Sequence, residues 1–162
     1  MQEKKLGLSM IVRDESHVIK RLLNSVSPII DYWVIVDTGS TDGTQDIIRE
    51  FFKDKNIPGE LIETEWKDDF AYARNISLQA VEPHVDYGIW IDADEELIIE
   101  SGFDKQKMLN EELDSISVRT VYGKVDYTRK NIWKTKSDFR WDGPIHELLS
   151  SPKETKGRGS LS

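Results

Sequence analysis

Gly88-Ile89-Trp90-Ile91-Asp92-Ala93-Asp94-Glu95 joins an apolar run to two carboxylates spaced i, i+2. The aliphatic and aromatic residues read as a buried strand, and alternation along a strand puts Asp92 and Asp94 on one side. Two ionised carboxylates placed together repel unless a cation lies between them. A hard divalent ion, Mg2+ or Mn2+, prefers oxygen ligands and commonly bridges to substrate phosphates. The stretch therefore predicts a strand from Gly88 to Asp92 that ends in a metal–diphosphate site. A polar turn after a strand has the same short signature, so the rest of the chain must separate the two.

Outward from this stretch, strands and helices alternate, the sign of an α/β sheet. Leu6 to Val12 reads as a first strand that ends at Arg13-Asp14-Glu15. Ile19, Leu22, Leu23 and Val26 follow at helical spacing and stop near Pro28. Tyr32 to Val36 is a second strand, apolar enough to be covered on both faces. In the turn after it, Asp37 to Thr44, Asp42 and Gln45 suit an N-cap with a capping-box partner. Ile47, Ile48, Phe51 and Phe52 give the next helix one apolar stripe. Leu61 to Trp66 is a third strand, Asp69 to Ala80 a helix, and Ser115 to Val125 with Tyr127 to Trp133 a two-strand ribbon. Residues 1–152 are expected to form one domain and the polar segment Lys153 to Ser162 a loose tail.

Composition sets the outer limits. The 162 residues suffice for one core, and 32% charged against 38% hydrophobic is a globular balance. A net charge of -8 argues against nucleic acid, whose binders need a basic footprint. Cysteine is absent, which excludes disulfides and thiolate metal sites. No apolar run reaches the ~20 residues that span a bilayer. The start, Met1 to Gly7, lacks the features of a signal peptide, so a cytoplasmic location is expected.

In open α/β sheets ligands bind outside the carboxyl ends of the strands. Arg13 to Glu15, Asp37, and Asp92 to Asp94 all fall there. The Asp37 to Thr44 turn lacks the lysine of a P-loop, the glycine spacing of a dinucleotide site and the oxygen ligands of a calcium loop. Ile35-Val36-Asp37-Thr38-Gly39-Ser40 is similar to the aspartic-protease turn, but that family is nearly all β and this turn runs into an amphipathic helix.

Five segments, in order, resemble the glycosyltransferase family 2 pattern. They are Met10-Ile11-Val12-Arg13-Asp14-Glu15, Val36 to Thr44, Phe70-Ala71-Tyr72-Ala73-Arg74-Asn75, Asp92-Ala93-Asp94-Glu95, and Trp141-Asp142-Gly143-Pro144-Ile145-His146-Glu147. The resemblance implies a GT-A, Rossmann-like fold: a mixed, mainly parallel sheet flanked by helices, with a C-terminal β-ribbon. Asp14 stands where family members usually carry Asn. Members also usually continue beyond the Glu147 segment through acceptor-binding regions, so the acceptor half is expected to be missing or reduced, and the chain to be a catalytic fragment or one domain of a longer protein.

That resemblance assigns roles. Val12, Arg13 and Glu15 would line the nucleotide pocket, and Asp37 would accept hydrogen bonds from base or ribose. Arg74 would reach the nucleotide or its phosphates with a fixed guanidinium fork. Asp94 is the expected direct ligand of Mn2+ or Mg2+, with Asp92 on the ribose or sharing the metal, and His146 completing the site. Glu147, then Asp142, is the candidate base that deprotonates the acceptor. Trp141 could stack on a sugar face or belong to the core. His17 and His84 read as packing or solvent residues. Glu95 and Glu96 read equally well as solvated turn charges, and Asn75-Ile76-Ser77 as a chance sequon on a helix.

The implied activity is metal-dependent, inverting transfer of a sugar from a nucleotide diphosphate donor, UDP-linked, to an acceptor hydroxyl. The acceptor (glycan, lipid or protein) and any homo-oligomer stay open. A nucleotide-sugar-binding module without turnover and a nucleotidyltransferase are the competing classes.

Overall fold

The computed structural model describes residues 3–143 and 148–152, together with the backbone of 158–161. Its main sheet comprises β1 (Leu6–Val12), β2 (Tyr32–Asp37), β3 (Gly59–Glu63), β4 (Tyr87–Trp90), β5 (Ser115–Tyr122), β6 (Val125–Lys134) and β9 (Arg158–Leu161). The order is β3-β2-β1-β4-β6-β5-β9, and β7 (Arg140–Asp142) pairs with β8 (Leu148–Ser150) in a separate two-stranded sheet. The pairs β1–β2, β2–β3 and β1–β4 are parallel, whereas β6 runs antiparallel to both β4 and β5.

The helices α1 (Ile19–Val26), α2 (Thr44–Lys55), α3 (Phe70–Val81) and the short α4 (Lys105–Leu109) flank this sheet. Parallel crossovers are right-handed, so successive steps in one direction place their helices on one face. The step from β3 back across β2 and β1 to β4 reverses direction and puts its helix on the other. The core divides accordingly. Ile19, Leu22, Ile48 and Phe52 pack with Ile89 and Ile91, whereas Ala71, Leu78 and Val81 of α3 pack with Trp90, Trp133 and Trp141. Strand alternation is visible at β4, where Ile89 and Trp90 face opposite layers.

The expected ribbon from Ser115 is present as the antiparallel pair β5–β6, and β6 also joins β4, so the ribbon extends the main sheet. Gly88 makes that junction close: a Cβ there would lie 2.3 Å from the Trp133 indole. Strand β3 ends at Glu63 rather than Trp66. Of the loose tail expected from Lys153, residues 153–157 and Ser162 lie outside the described residues, and Arg158–Leu161 form β9, parallel to β5. β4 ends at Trp90, two residues before Asp92, and the Glu95 N–H donates to the Asp92 carbonyl at 3.0 Å. Asp92 and Asp94 therefore sit in a turn, and strand alternation does not set their directions.

The capping box is also replaced. Gly43, with φ 90°, is the N-cap of α2, a left-handed conformation that costs glycine little. Asp42 instead accepts from the Thr44 N–H at 3.1 Å and the Ser16 N–H at 3.0 Å. Gln45 donates to Asp37 Oδ1 and the Ser40 carbonyl. At α3 the expected start is present, since the Asp69 side chain accepts from the Tyr72 N–H at 3.0 Å.

Candidate functional site

The order β2-β1-β4 makes a topological switch: connections leave β1 and β4 in opposite directions, and a crevice opens at their carboxyl ends. Two loops form one wall. Asp14, at φ 51°, donates its N–H to Ser40 Oγ at 2.8 Å and accepts from the Thr41 N–H at 2.7 Å. The Glu15 N–H donates to Thr44 Oγ1, and the Thr38 N–H to the Val12 carbonyl. Val12 is thus buried and held by its backbone, while Arg13 is exposed. The Thr44 hydroxyl, and then Ser16, hold the Asp42 carboxyl well below the usual carboxylate range.

Asp37 closes β2 with only 1% of its surface exposed. Its Oδ1 accepts from the Gly39 and Ser40 N–H groups, both at 2.9 Å, and from Gln45 Nε2 at 3.2 Å. Its Oδ2 is buried and has no hydrogen-bond partner among the described residues. Buried acceptors are almost always satisfied, and leaving one bare costs about 1–3 kcal/mol. Asp37 therefore builds the turn with one oxygen, while the other is buried without a hydrogen bond.

The second wall is built on tryptophans. Arg74 of α3 is 9% exposed, with its guanidinium 5.2 Å from the Trp90 ring and 4.8 Å from the Trp141 ring. Its Nη2 donates to Asp92 Oδ1 at 2.9 Å. Arg129 of β6 lies 4.8 Å from the Trp90 ring, pairs with Glu95 at 2.7 Å and approaches Asp92 Oδ2 at 3.9 Å. Glu95 in turn accepts the Asp92 N–H at 3.0 Å. Asp92 is thus held by its backbone and flanked by two guanidiniums. The Asp94 side chain is exposed, and its carbonyl accepts from Arg21 Nη2 at 2.9 Å.

These acids share a field. Burial first, then Asp94, pushes the Glu15 carboxyl above its ordinary value, with smaller contributions from Asp42 and Asp92 and an opposing one from His17. The oxygen donors suit a hard divalent cation. No cluster of three candidate ligands occurs among the described residues. Of the expected ligands Asp94 is exposed and Asp92 is paired with Arg74, and Mg2+ commonly takes only one or two carboxylates, with phosphate oxygens and water completing its shell.

Asn75 clasps β7 to α3: its Nδ2 donates to the Trp141 carbonyl at 2.9 Å and its Oδ1 accepts the Trp141 N–H at 2.8 Å. The amide of the sequon is thereby spent on main chain. The clasp sets Trp141 against Arg74, and Asp142, the residue after it, is exposed. Pro144 to Glu147 are outside the described residues, and with them the expected metal ligand His146 and base Glu147. Sequence reasoning missed Arg129 and the pairing role of Glu95, which lie 34 positions apart with no spacing signal to join them.

The glycosyl transferase family 2 model matches residues 9–155. The chain belongs to glycosyltransferase family 2. A TPR repeat-containing protein of Synechococcus elongatus is 36% identical over 149 residues, covering 89% of this chain and 35% of that protein. The glycosyltransferase SunS of Bacillus subtilis is 46% identical over 66 residues, covering 41% of this chain and 15% of SunS. This family 2 chain thus spans about a third or less of the curated relatives it matches.

Among solved structures, Staphylococcus aureus TarS superposes with TM-score 0.67 at 15% identity, covering 98% of this chain and 37% of TarS. A 4-diphosphocytidyl-2C-methyl-D-erythritol synthase of Anaerococcus prevotii gives 0.64 at 12% identity, covering 98% and 86%. GalNAc-T7 with UDP, GalNAc and Mn2+ gives 0.57 at 14% identity, covering 99% and 30%. At these identities the likeness is one of fold, the GT-A Rossmann-like architecture. No helix among the described residues is long and apolar enough to cross a membrane.

Proposed function

We propose that this domain transfers a sugar from a UDP-linked donor to an acceptor hydroxyl with inversion at the anomeric carbon. The observation that carries the reading is the remaining acceptor of Asp37, buried at the switch crevice with the Arg74–Asp92 pair on the facing wall. A uracil imide N–H or ribose hydroxyl is the donor that Asp37 Oδ2 lacks. Arg74, with Val12, Arg13 and Glu15 lining the crevice, faces the phosphates, and its planar fork suits them. Asp94 and Asp92, with His146, would hold Mn2+ or Mg2+, which when bound would neutralise charge on the diphosphate.

In the transfer, the acceptor oxygen forms a bond to the anomeric carbon as the bond from that carbon to the phosphate oxygen breaks. The acceptor proton passes to a carboxylate, Glu147 or Asp142, and UDP leaves with the electron pair. The wall of Trp90 and Trp141 keeps water from the inner side of Arg74 and strengthens its charge.

UDP release from UDP-sugars tests the reading, alongside thermal unfolding with UDP and Mn2+. Ligand at ~100 times its Kd adds about 2.7 kcal/mol, or about 5–11 °C for a domain of this size. A shift needing both ligands and lost in Asp94→Ala supports it. A shift with CTP and pyrophosphate release instead would favour the nucleotidyltransferase class. Binding of a UDP-sugar with neither transfer nor hydrolysis would leave a binding module.

A further inference from the structure

Between Ile116 and Ser117 the β5–β6 register shifts by one residue: Ile116 lies opposite Ile132, whereas Ser117 lies opposite Lys130. Asn131 is therefore the extra residue of a β-bulge on β6. Residues opposite each other in a ladder share a face, and Ile116 and Val118 stand two apart on β5. Val118 lies opposite Arg129, so the bulge brings Arg129 to the face of Ile132 although three positions separate them. In an unbroken strand that place belongs to Lys130. Bulges beside functional sites commonly re-aim a side chain in this way.

The bulge is also fastened to the end of β4. Main-chain pairing of β4 with β6 extends only to Ile89 and Ile132. At the next residue side chains take over. Asn131 Nδ2 donates to the Trp90 carbonyl at 2.8 Å, and Trp90 Nε1 donates to the Lys130 carbonyl at 2.7 Å. Arg129 then lies with its guanidinium 4.8 Å from the Trp90 ring and its Nε donating to Thr120 Oγ1 at 3.1 Å.

From there it reaches the acidic turn through Glu95. Arg129 Nη2 donates to both Glu95 carboxylate oxygens, at 3.0 and 2.7 Å. Glu95 Oε1 also accepts the Asp92 N–H, and the Glu95 N–H donates to the Asp92 carbonyl, both at 3.0 Å. Arg129 Nη1 stands 3.9 Å from Asp92 Oδ2, outside hydrogen-bond reach, so its bonds fix the Asp92 main chain and not the Asp92 carboxylate. The far half of the turn is held from α1, where Arg21 Nη2 donates to the Asp94 carbonyl and Ser25 Oγ accepts the Leu97 N–H, both at 2.9 Å.

We propose that Arg129 is a positioning residue for this turn: re-aimed by the Asn131 bulge, it fixes Asp92 through Glu95 and sets the stance of Asp92 and Asp94 before any donor arrives. The inference rests on the donor-site reading only for the cation that the two aspartates would hold; the order of the turn is read without ligand. Charge alone predicts the opposite sign. Deleting a cation beside an acidic turn tightens metal binding, whereas loss of the Glu95 tether leaves the ligands unplaced and weakens it.

The test is backbone amide hydrogen exchange by NMR on the full chain without metal or nucleotide, followed by calorimetric titration with UDP and Mn2+. In Arg129→Met the Asp92 amide should exchange at least about tenfold faster, while the Val34 and Ile35 amides in β2 keep their wild-type protection. Affinity for UDP with Mn2+ should fall about tenfold or more. Adding Glu95→Gln to Arg129→Met should recover both, because the glutamine oxygen still accepts the Asp92 N–H and no carboxylate is left unpaired. Glu95→Ala should reproduce the Arg129→Met result, and it carries the test if Arg129→Met does not fold.

Unchanged exchange at Asp92 would overturn the inference, as would tighter Mn2+ binding or failure of Glu95→Gln to rescue. Faster exchange at Asp92 and in β2 alike would also overturn it, by making Arg129 a general brace of the sheet. Local loss of protection in a chain whose wild type binds neither UDP nor Mn2+ would uphold the positioning role and sink the donor-site reading.

Discussion

Arg74 Nη2 and Asp92 Oδ1 meet at 2.9 Å between α3 and the turn after β4, one side chain 10% and the other 39% exposed. The pair joins the helix of one layer to the loop that follows the central sheet. Because Arg74 also lies against Trp90 and Trp141, its fork is fixed before any ligand arrives. A cation placed this way neutralises Asp92.

Arg74→Lys should therefore lose more than its unchanged charge suggests. Lysine keeps one positive charge but neither the fork nor the planar contact with the two indoles. The expected loss is about 2 kcal/mol of stability, towards the low end for a broken pair because Asp92 is well solvated. Urea unfolding would read this as a lower midpoint with unchanged slope. UDP affinity should fall at least about tenfold. An unchanged midpoint and affinity would mean the indole contacts and the fork contribute nothing.

Asp37→Asn separates the two oxygens of one carboxylate. If the amide oxygen keeps the Gly39 and Ser40 N–H bonds, an NH2 group occupies the Oδ2 position. A nucleobase or ribose donor would then face a donor, and UDP binding should drop at least about tenfold. Folding should change by no more than about 1–2 kcal/mol, since the turn bonds survive. Calorimetry with UDP and Mn2+ checks it. Undiminished affinity would remove Asp37 from the nucleotide site.

The sequence made the sheet legible because β1 and β2 are almost wholly apolar and almost wholly buried, Ser9 and Asp37 being their polar residues. It also singled out Arg74 and Asp92, which α3 and the turn after β4 bring together at 2.9 Å, and Asp37, which ends β2. It did not reveal that β4 stops at Trp90, because Ile91 is as apolar as a strand residue and only the Glu95 bond to Asp92 marks the turn. Nor did it join Arg129 to Glu95, a contact made by sheet register and not by local spacing. The Asn usual in the family at position 14 gains a backbone reason: Asp14 sits at φ 51°, where Asn is favoured among non-glycine residues. Asp14→Asn should leave stability within about 0.5 kcal/mol, read from the urea midpoint. A larger loss would show that the Thr41 N–H needs a full carboxylate charge.

Glu15 gives a pH signature. Its carboxyl is pushed above the ordinary value of 4.5, by burial first and then by Asp94. The folded state thus favours the protonated form, and the ionised form opposes folding at neutral pH. That penalty is complete above the folded value and fades as pH falls towards 4.5, where the unfolded chain also protonates. Glu15→Gln should be the more stable protein at pH 7, with the gap to wild type closing by about pH 4. Unfolding midpoints across that range would show it. A constant gap would assign the effect to packing instead of charge.

Gly88→Ala probes the junction between β4 and β6. The added methyl would lie 2.3 Å from the Trp133 indole, and Gly88 pairs with Trp133 across β4 and β6. The indole is fully buried, so either the ring leaves its rotamer or the strands separate. Overpacking of this kind costs about 1–3 kcal/mol. For a domain of this size the melting temperature should fall by about 2–12 °C. Movement of β6 would also displace Arg129 from Glu95 and Asp92, so UDP affinity should decline together with stability. A fall in stability with UDP affinity intact would show that the β4–β6 junction and the crevice are energetically independent.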